Sequence, residues 1–424
     1  MAHCAPAHID RVAWRTPGAH ARRLCPRHLG PQRPLLRTPP GRHSHTTQAP
    51  MTSPVSRNAL FEPGRLGTLV VKNRVAMAPM TRSRATDDGT PTPLMAEYYG
   101  QRAGAGMIVS EGVNISPGAQ GFMNVPGIWT DAHVAGWRDI THRVHAEGST
   151  FFLQLWHAGR IAHPDNMQPG LHPVAPSALK HERTIVTPSG LQPSVLPREL
   201  TGTEIEQVIA DYAQASGRAV EAGCDGVEIH AANGYLPSQF LHESSNQRTD
   251  AWGGSIPARA RFLVEVARAC ATAIGADRVM VRLTPFSEFN GAKSTDEAAV
   301  YDHLIAELAQ LSLGALHVVG AEVSGNQTVQ RAEGERAPDV LGFVRPRWSG
   351  TLVAAGNYDL ARAMRDIDER RADLIAFGRD FIGNPDLVER LRHGHPLVER
   401  LPADWYGPAA QGYTDYPRWQ PAAN

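Results

Sequence analysis

Residues 226–235 read Gly226-Val-Glu-Ile-His-Ala-Ala-Asn-Gly-Tyr235. The first five alternate: Val227 and Ile229 fall on one face of an extended chain, Glu228 and His230 on the other. An Asn233-Gly234 turn pair then stops the run. Before it, Glu204–Ala222 repeats apolar residues at helical spacing (Ile205, Val208, Ile209, Tyr212, Ala213), and Ala258–Ala273 after it does the same. A short strand between two amphipathic helices, with polar side chains at its C-terminal end, predicts parallel strands joined by right-handed crossovers.

The same unit recurs along the chain. Short β-branched or apolar runs occupy Val71–Ala78, Met107–Val113, Phe151–Trp156, Gly226–His230, Val279–Leu283, Leu316–Val319, Thr351–Ala355 and Asp373–Phe377. Eight such strands alternating with helical stretches predict an α/β fold, a (β/α)8 TIM barrel, as a single domain over residues 57–424. An open dinucleotide-binding sheet would carry a G-x-G-x-x-G turn after its first strand, and the sequence has none. Long connections at 114–148, 157–202 and 321–350 supply the excess over a minimal barrel. Barrel active sites gather at the C-terminal strand ends. Alternation sets Gln154 and Trp156 opposite Leu153 and Leu155, and Arg282 and Thr284 opposite Val281 and Leu283. Gln154, His230 and Arg282 therefore converge on one pocket mouth.

Composition agrees. The 424 residues are 42% hydrophobic and 20% charged, with 42 Lys+Arg against 42 Asp+Glu. Those values exclude a disordered chain, a disulfide scaffold and a collagen-like fibre. No apolar run reaches the roughly 18 residues of a membrane span, so no membrane partner is expected. The balanced charge gives no reason for a nucleic-acid partner. Cys4, Cys25, Cys224 and Cys270 are too scattered for a Cys-x-x-Cys metal site, which fits a reducing, cytoplasmic setting. Cys224 and Cys270 read as small core hydrophobes.

The zero net charge hides an asymmetry. Residues 1–50 hold eight Arg, no Lys, one acid (Asp10), six His and eight Pro, which leaves a net charge of −7 on the rest. Without a periodic apolar face, residues 1–56 are expected to be a disordered extension. Its Arg-rich, acid-poor composition is that of a transit peptide, but its prolines oppose the amphipathic helix such a peptide needs. Arg22-Arg23 lacks the apolar stretch of a twin-arginine signal. Met51 is the candidate natural start, with the preceding residues dispensable.

Four segments carry the chemistry: Ala78-Pro-Met-Thr-Arg-Ser-Arg84, Gln154-Leu-Trp-His157, His230-Ala-Ala-Asn-Gly-Tyr235 running into Glu243–Ser255, and Ala376-Phe-Gly-Arg-Asp380 followed by Asn384-Pro-Asp386. In order and spacing the chain resembles the Old Yellow Enzyme family of FMN-dependent ene-reductases, over about residues 58–420. The resemblance implies FMN as cofactor and NAD(P)H as reductant. It implies small-molecule activated alkenes as substrates and a monomer or homodimer.

Residue chemistry runs alongside. A flavin phosphate needs an anion site, and Gly356 and Asn357 after strand seven with Gly378 and Arg379 after strand eight suit it. Singly, Gly356 also reads as a turn residue and Arg379 as a surface ion pair. By resemblance, Gln154 bonds the pyrimidine edge and Thr81 reaches the carbonyl beside N5. Pro79, Met80 and Gly112 line the ring, and Arg282 lies near N1, where a cation stabilises the reduced form. Thr81 stands where some relatives have Cys, so no catalytic cysteine is expected. Across the barrel, Gln154 could instead be a core amide and Arg282 a buried salt bridge, a costly arrangement in an apolar strand.

His230 and Asn233 can hold the electron-withdrawing oxygen of an activated alkene while hydride reaches Cβ from N5, and Tyr235 can protonate Cα. Each also has a bland reading, as structural histidine, turn residue and loop aromatic. Trp156, Phe289 and Tyr406 match pocket-wall positions. Glu243–Ser255 reads as a structural loop bracing the active-site turn. The implied reaction is ping-pong reduction of α,β-unsaturated carbonyl or nitro compounds, with nitrate-ester or nitroaromatic reduction on the same barrel as the alternative. A flavin-binding sensor without turnover would not need His230, Asn233 and Tyr235 together. A metal-dependent hydrolase would need more strand-end ligands than His230 and Glu228. An iron–sulfur relative would need more than the two cysteines of the body.

Overall fold

The eight runs become the eight parallel strands of a closed barrel in the computed structural model, which describes residues 58–399, 405–407 and 409–421. They are β1 (Val75–Met77), β2 (Met107–Asn114), β3 (Thr150–Trp156), β4 (Gly226–His230), β5 (Val279–Leu283), β6 (Ala315–Val319), β7 (Thr351–Ala355) and β8 (Leu374–Phe377). Each pairs with its sequence neighbour, and β8 closes on β1. The principal outer helices are α1 (Pro93–Gln101), α2 (Asp131–Ala146), α3 (Gly202–Glu221), α4 (Ile256–Ile274), α5 (Glu297–Ala309), α6 (Val340–Val344), α7 (Leu360–Asp368) and α8 (Leu387–His393). The expected extension and the Met51 start lie outside the described residues. Among the described residues no helix is long and apolar enough to cross a membrane.

Local chemistry explains the boundaries. Thr201 and Glu204 form a reciprocal capping box at the start of α3. Ser255 caps α4, and Gly275 at φ +94° ends it. The first strand departs from expectation. Val71 belongs to a hairpin (Gly64–Leu66 with Leu69–Val71), and the barrel strand starts only at Val75. Asn73 makes the break. Its Oδ1 accepts from the amides of Val75 (3.1 Å) and Gly106 (2.8 Å), and its Nδ2 donates to Gly104 O at 3.0 Å. Within the long connections lie α2, α6 and short two-stranded pairs such as Thr184–Thr187 with Gly190–Pro193.

Alternation sorts the core into two layers. Leu153, Leu155, Val227, Ile229, Val281 and Leu283 pack outward against the helices. The inward layer includes Val109, Phe152, Met280 and Val353, with Leu66 and Val71 of the hairpin packed into the same cluster. Strand β2 is irregular: its register against β3 shifts between Val109 and Gly112. Ser110 and Glu111, both fully buried, stand there opposite the single residue Leu153, so the strand carries one extra residue.

Candidate active site

The C-terminal end of the barrel opens into a cavity of about 720 Å³, large enough for a cofactor and a small substrate together. Its wall is lopsided. Strands β7, β8 and the end of β1 contribute small Ala355, Ala376 and Ala78, whereas β3 to β5 contribute Gln154, Trp156, His230 and Arg282. Every residue singled out from the sequence as catalytic, cofactor-binding or substrate-binding lines this cavity.

The turn after β4 is built to hold unusual backbone. Asn233 and Gly234 both lie in the left-handed region, at φ +57° and +70°. The Asn233 amide donates to Thr284 Oγ1 at 3.0 Å, and its carbonyl accepts from Asn290 Nδ2 at 2.9 Å. Gln239 Nε2 donates to Gly234 O at 2.8 Å. A Cβ at Gly234 would come within 2.7 Å of Asn290 Cβ and Phe289 O, so only glycine fits. This clamp sets Tyr235 edge-on to both Trp156 (ring centroids 4.8 Å) and His230 (4.9 Å). Burial, with Arg282 and His317 nearby, holds His230 well below its usual pKa, so the ring is neutral. Burial pushes the Tyr235 phenol up, so it keeps its proton.

Beneath the mouth lies a polar floor. Glu228 and His317 are fully buried. Gln154 Nε2 donates to Glu228 Oε1 at 2.8 Å, and His317 Nδ1 lies 2.6 Å from Glu228 Oε2. Burial opposes the charge on Glu228, but His317, Arg282 and Gln154 outweigh it and hold the carboxyl below its usual value. Burial lowers His317 too. In that short contact His317 donates from Nδ1–H to the carboxylate. A carboxylate only accepts, so the amide end of Gln154 faces it and Oε1 is left for the cavity.

At the opposite side, Gly356 (φ +127°) and Asn357 (φ +52°) turn the chain after β7. A Cβ at Gly356 would lie 2.8 Å from Gly320 N. Arg379 Nη2 donates to Asn357 Oδ1 and Thr328 Oγ1, both at 3.0 Å. A Cβ at Gly378 would meet nothing nearer than Met80 Sδ at 3.7 Å, so its missing side chain leaves room. Gly112 has a packing reason as well: a Cβ would lie 2.7 Å from the Trp156 ring.

Loop Pro79–Arg84 is held from behind. Glu111 Oε2 accepts from the amides of Arg82 (3.2 Å) and Ser83 (3.4 Å), and Tyr99 Oη donates to Oε1 at 3.3 Å. Burial pushes the Glu111 carboxyl up to about 7. Arg82 and Arg84 reach carbonyls of Trp405, Gly412 and Gln411, so the Thr81 loop anchors the C-terminal segment. That segment brings Tyr406 to the rim, where it is 53% exposed. Glu243–Ser255 does brace the neighbouring loop, through Ser244 Oγ to Gly291 O at 2.6 Å.

The sequence reading missed several residues. Phe122 stacks on Trp156 at 5.4 Å, and Val186, Asn326 and Trp405 also line the cavity. Their connections carry no periodic signal. Asn290, the clamp on Asn233, sits 57 residues away in sequence. The cavity fits flavin monophosphate on its own donors. Arg282 Nε and His230 Nδ1 are buried with no partner among the described residues, as expected of groups awaiting one.

Comparison with known proteins agrees with this geometry. Residues 59–397 match the model of the NADH:flavin oxidoreductase / NADH oxidase family. The chain is 42% identical over 367 residues to chanoclavine-I aldehyde reductase of Penicillium roqueforti, covering 84% of this chain and 95% of that one. It is 38% identical over 371 residues to 12-oxophytodienoate reductase 7 of Oryza sativa, covering 84% and 94%. Among solved structures, morphinone reductase superimposes with a TM-score of 0.80 at 46% identity, covering 87% of this chain and 98% of that one.

Proposed function

The chain belongs to the NADH:flavin oxidoreductase / NADH oxidase family, the Old Yellow Enzyme family, as an FMN-dependent enzyme that uses NAD(P)H, and on that premise we propose that it reduces the activated C=C bond of α,β-unsaturated carbonyl or nitro compounds. The observation that carries this reading is the clamped turn that gathers His230, Asn233 and Tyr235 on one wall of the cavity. When bound, FMN supplies the hydride that it has accepted from NAD(P)H. The residues around it do the rest.

His230 and Asn233 donate hydrogen bonds to the substrate's carbonyl or nitro oxygen. Charge builds on that oxygen as hydride reaches Cβ, so donors fixed beforehand lower the barrier. A neutral His230 donates without burying a second cation beside Arg282. Tyr235 then gives its proton to Cα, which completes the saturated bond, and regains one from water. Gln154, Arg282, Thr81, Pro79, Met80 and Gly112 orient the cofactor ring. Gly356, Asn357, Gly378 and Arg379 hold its phosphate. Trp156, Phe289 and Tyr406 wall the substrate. One cavity serves both substrates, so the nicotinamide leaves before the alkene enters, a ping-pong order. The same reading includes a cytoplasmic setting, with Cys224 and Cys270 unpaired and buried, and a monomeric or homodimeric state.

Turnover of 2-cyclohexenone, a cinnamaldehyde and a nitroalkene with NADPH or NADH, with product analysis, tests the proposal. Saturated ketone, aldehyde and nitroalkane are expected, with parallel double-reciprocal lines. Unsaturated alcohols, or intersecting lines, would overturn it.

A further inference from the structure

A fully buried carboxylate inside a barrel is costly to maintain even when paired and hydrogen-bonded, as Glu228 is with Gln154 and His317. Glu228 touches neither substrate space nor solvent, yet it lies directly under two groups that line the cavity. It holds Gln154 through a 2.8 Å hydrogen bond. It also lies near enough to Arg282 to feel its charge. Strand register explains the grouping: Glu228 pairs with Gln154 across β4 and β3, His230 with Arg282 across β4 and β5, and Arg282 with His317 across β5 and β6. His317 adds a donor, and its Nε2 is buried with no partner among the described residues. That is tolerable for a lone pair on a neutral ring and costly for an N–H. The tautomer with its proton on Nδ1 is thereby favoured, and this leaves the full negative charge on Glu228.

We propose that Glu228, held by His317, is a counter-charge beneath the cofactor that offsets Arg282 and sets the potential of the bound flavin. Arg282 alone would favour added negative charge on the ring above it, making the flavin easy to reduce and a weak hydride donor. Glu228 opposes that. It lowers the potential and keeps hydride transfer to a C=C bond favourable. Glu228 and His317 are positioning residues here, since neither meets the substrate.

The inference rests on the flavin reading of the cavity, and the experiment separates the two. The two-electron midpoint potential and the FMN dissociation constant are measured for the holoprotein and for Glu228→Gln. The variant keeps the size and the acceptor for Gln154 but removes the charge. Its potential is expected to rise by at least tenfold in the reduced-to-oxidised affinity ratio, about 30 mV for a two-electron couple. Oxidised FMN is expected to bind within a few-fold of the parent. His317→Gln, which keeps a donor to Glu228 and the carboxylate, is expected to shift the potential much less. Glu228→Met, uncharged and of similar volume, replaces the first variant if that one does not fold. In the wild type, the infrared difference spectrum on reduction is expected to show a perturbed, isotope-assigned Glu228 carboxylate. A flavin-loaded charge-removed variant with unchanged potential overturns the inference. So does an equal shift in His317→Gln, or a protonated Glu228 in the wild-type spectrum. Failure of the wild type to hold any flavin would instead overturn the reading of the cavity itself.

Discussion

Replacing Tyr235 with Phe separates the two halves of the proposed cycle. The ring sits edge-on between Trp156, at 4.8 Å and 81°, and His230, at 4.9 Å and 64°. Phenylalanine keeps both contacts and the Gly234 turn, so folding and FMN content should match the parent. Only the phenolic proton is lost, and burial keeps that proton in place at neutral pH in the parent. Flavin reduction by NADPH needs no acid and should proceed at nearly its normal rate. Reoxidation by 2-cyclohexenone needs a proton on Cα and should slow by about 10²–10⁴-fold, the usual worth of a general acid. That range is about 3–5 kcal/mol of barrier. Nitroalkenes should be slowed less, because their product anion is stable enough to leave unprotonated. Anaerobic stopped-flow of each half-reaction reads these rates separately. If Tyr235→Phe is reoxidised by cyclohexenone as fast as the parent, Tyr235 is not the acid.

Arg379→Ala removes the guanidinium beside Asn357 and Thr328. FMN affinity, followed by fluorescence on reconstitution, should fall by roughly tenfold to a hundredfold, the worth of a charge-assisted hydrogen bond. An unchanged affinity would place the phosphate elsewhere. Asn290→Ala frees the Asn233 carbonyl; reoxidation by cyclohexenone should slow by about tenfold, one lost hydrogen bond, with FMN affinity retained, and equal loss of both would mean general unfolding of the mouth. Burial, partly offset by the Arg82 and Ser83 amides, raises Glu111 from its usual 4.5 to about 7. Its protonated form thus stabilises the fold fully below pH 4.5, and this contribution is lost as pH rises through about 7. Relative to Glu111→Gln, the wild type should lose roughly 3 kcal/mol across that window in urea unfolding, and a flat difference would show that Glu111 ionises freely.

Much of this was legible because barrels translate sequence simply. Alternation in Gly226–His230, Phe151–Trp156 and Val279–Leu283 separates a helix-facing row from a polar inward row, and that alone aims Gln154, His230 and Arg282 at one mouth. What escaped depends on contacts between distant segments. The run Val71–Ala78 passes for one strand only if the polar Lys72-Asn73-Arg74 in its middle is overlooked; the Asn73 side chain, bonded to Gly104 and Gly106, is where the hairpin ends. Glu111 sits in an apolar strand, and its bulge exists only in the register against β3. Asn290 comes from a connection with no period and Val186 from a short hairpin strand inside one, so their roles appear once these segments are folded over the mouth.

Reduction of an alkene by the stored hydride is tested most directly in a single turnover. The holoprotein is reduced anaerobically with one equivalent of NADPH, freed of nucleotide by gel filtration, and mixed with 2-cyclohexenone. The flavin absorbance should return in full, with one cyclohexanone formed for each flavin. A flavin that stays reduced until nucleotide is restored, or that reoxidises without cyclohexanone, would contradict the assignment of this cavity to alkene reduction.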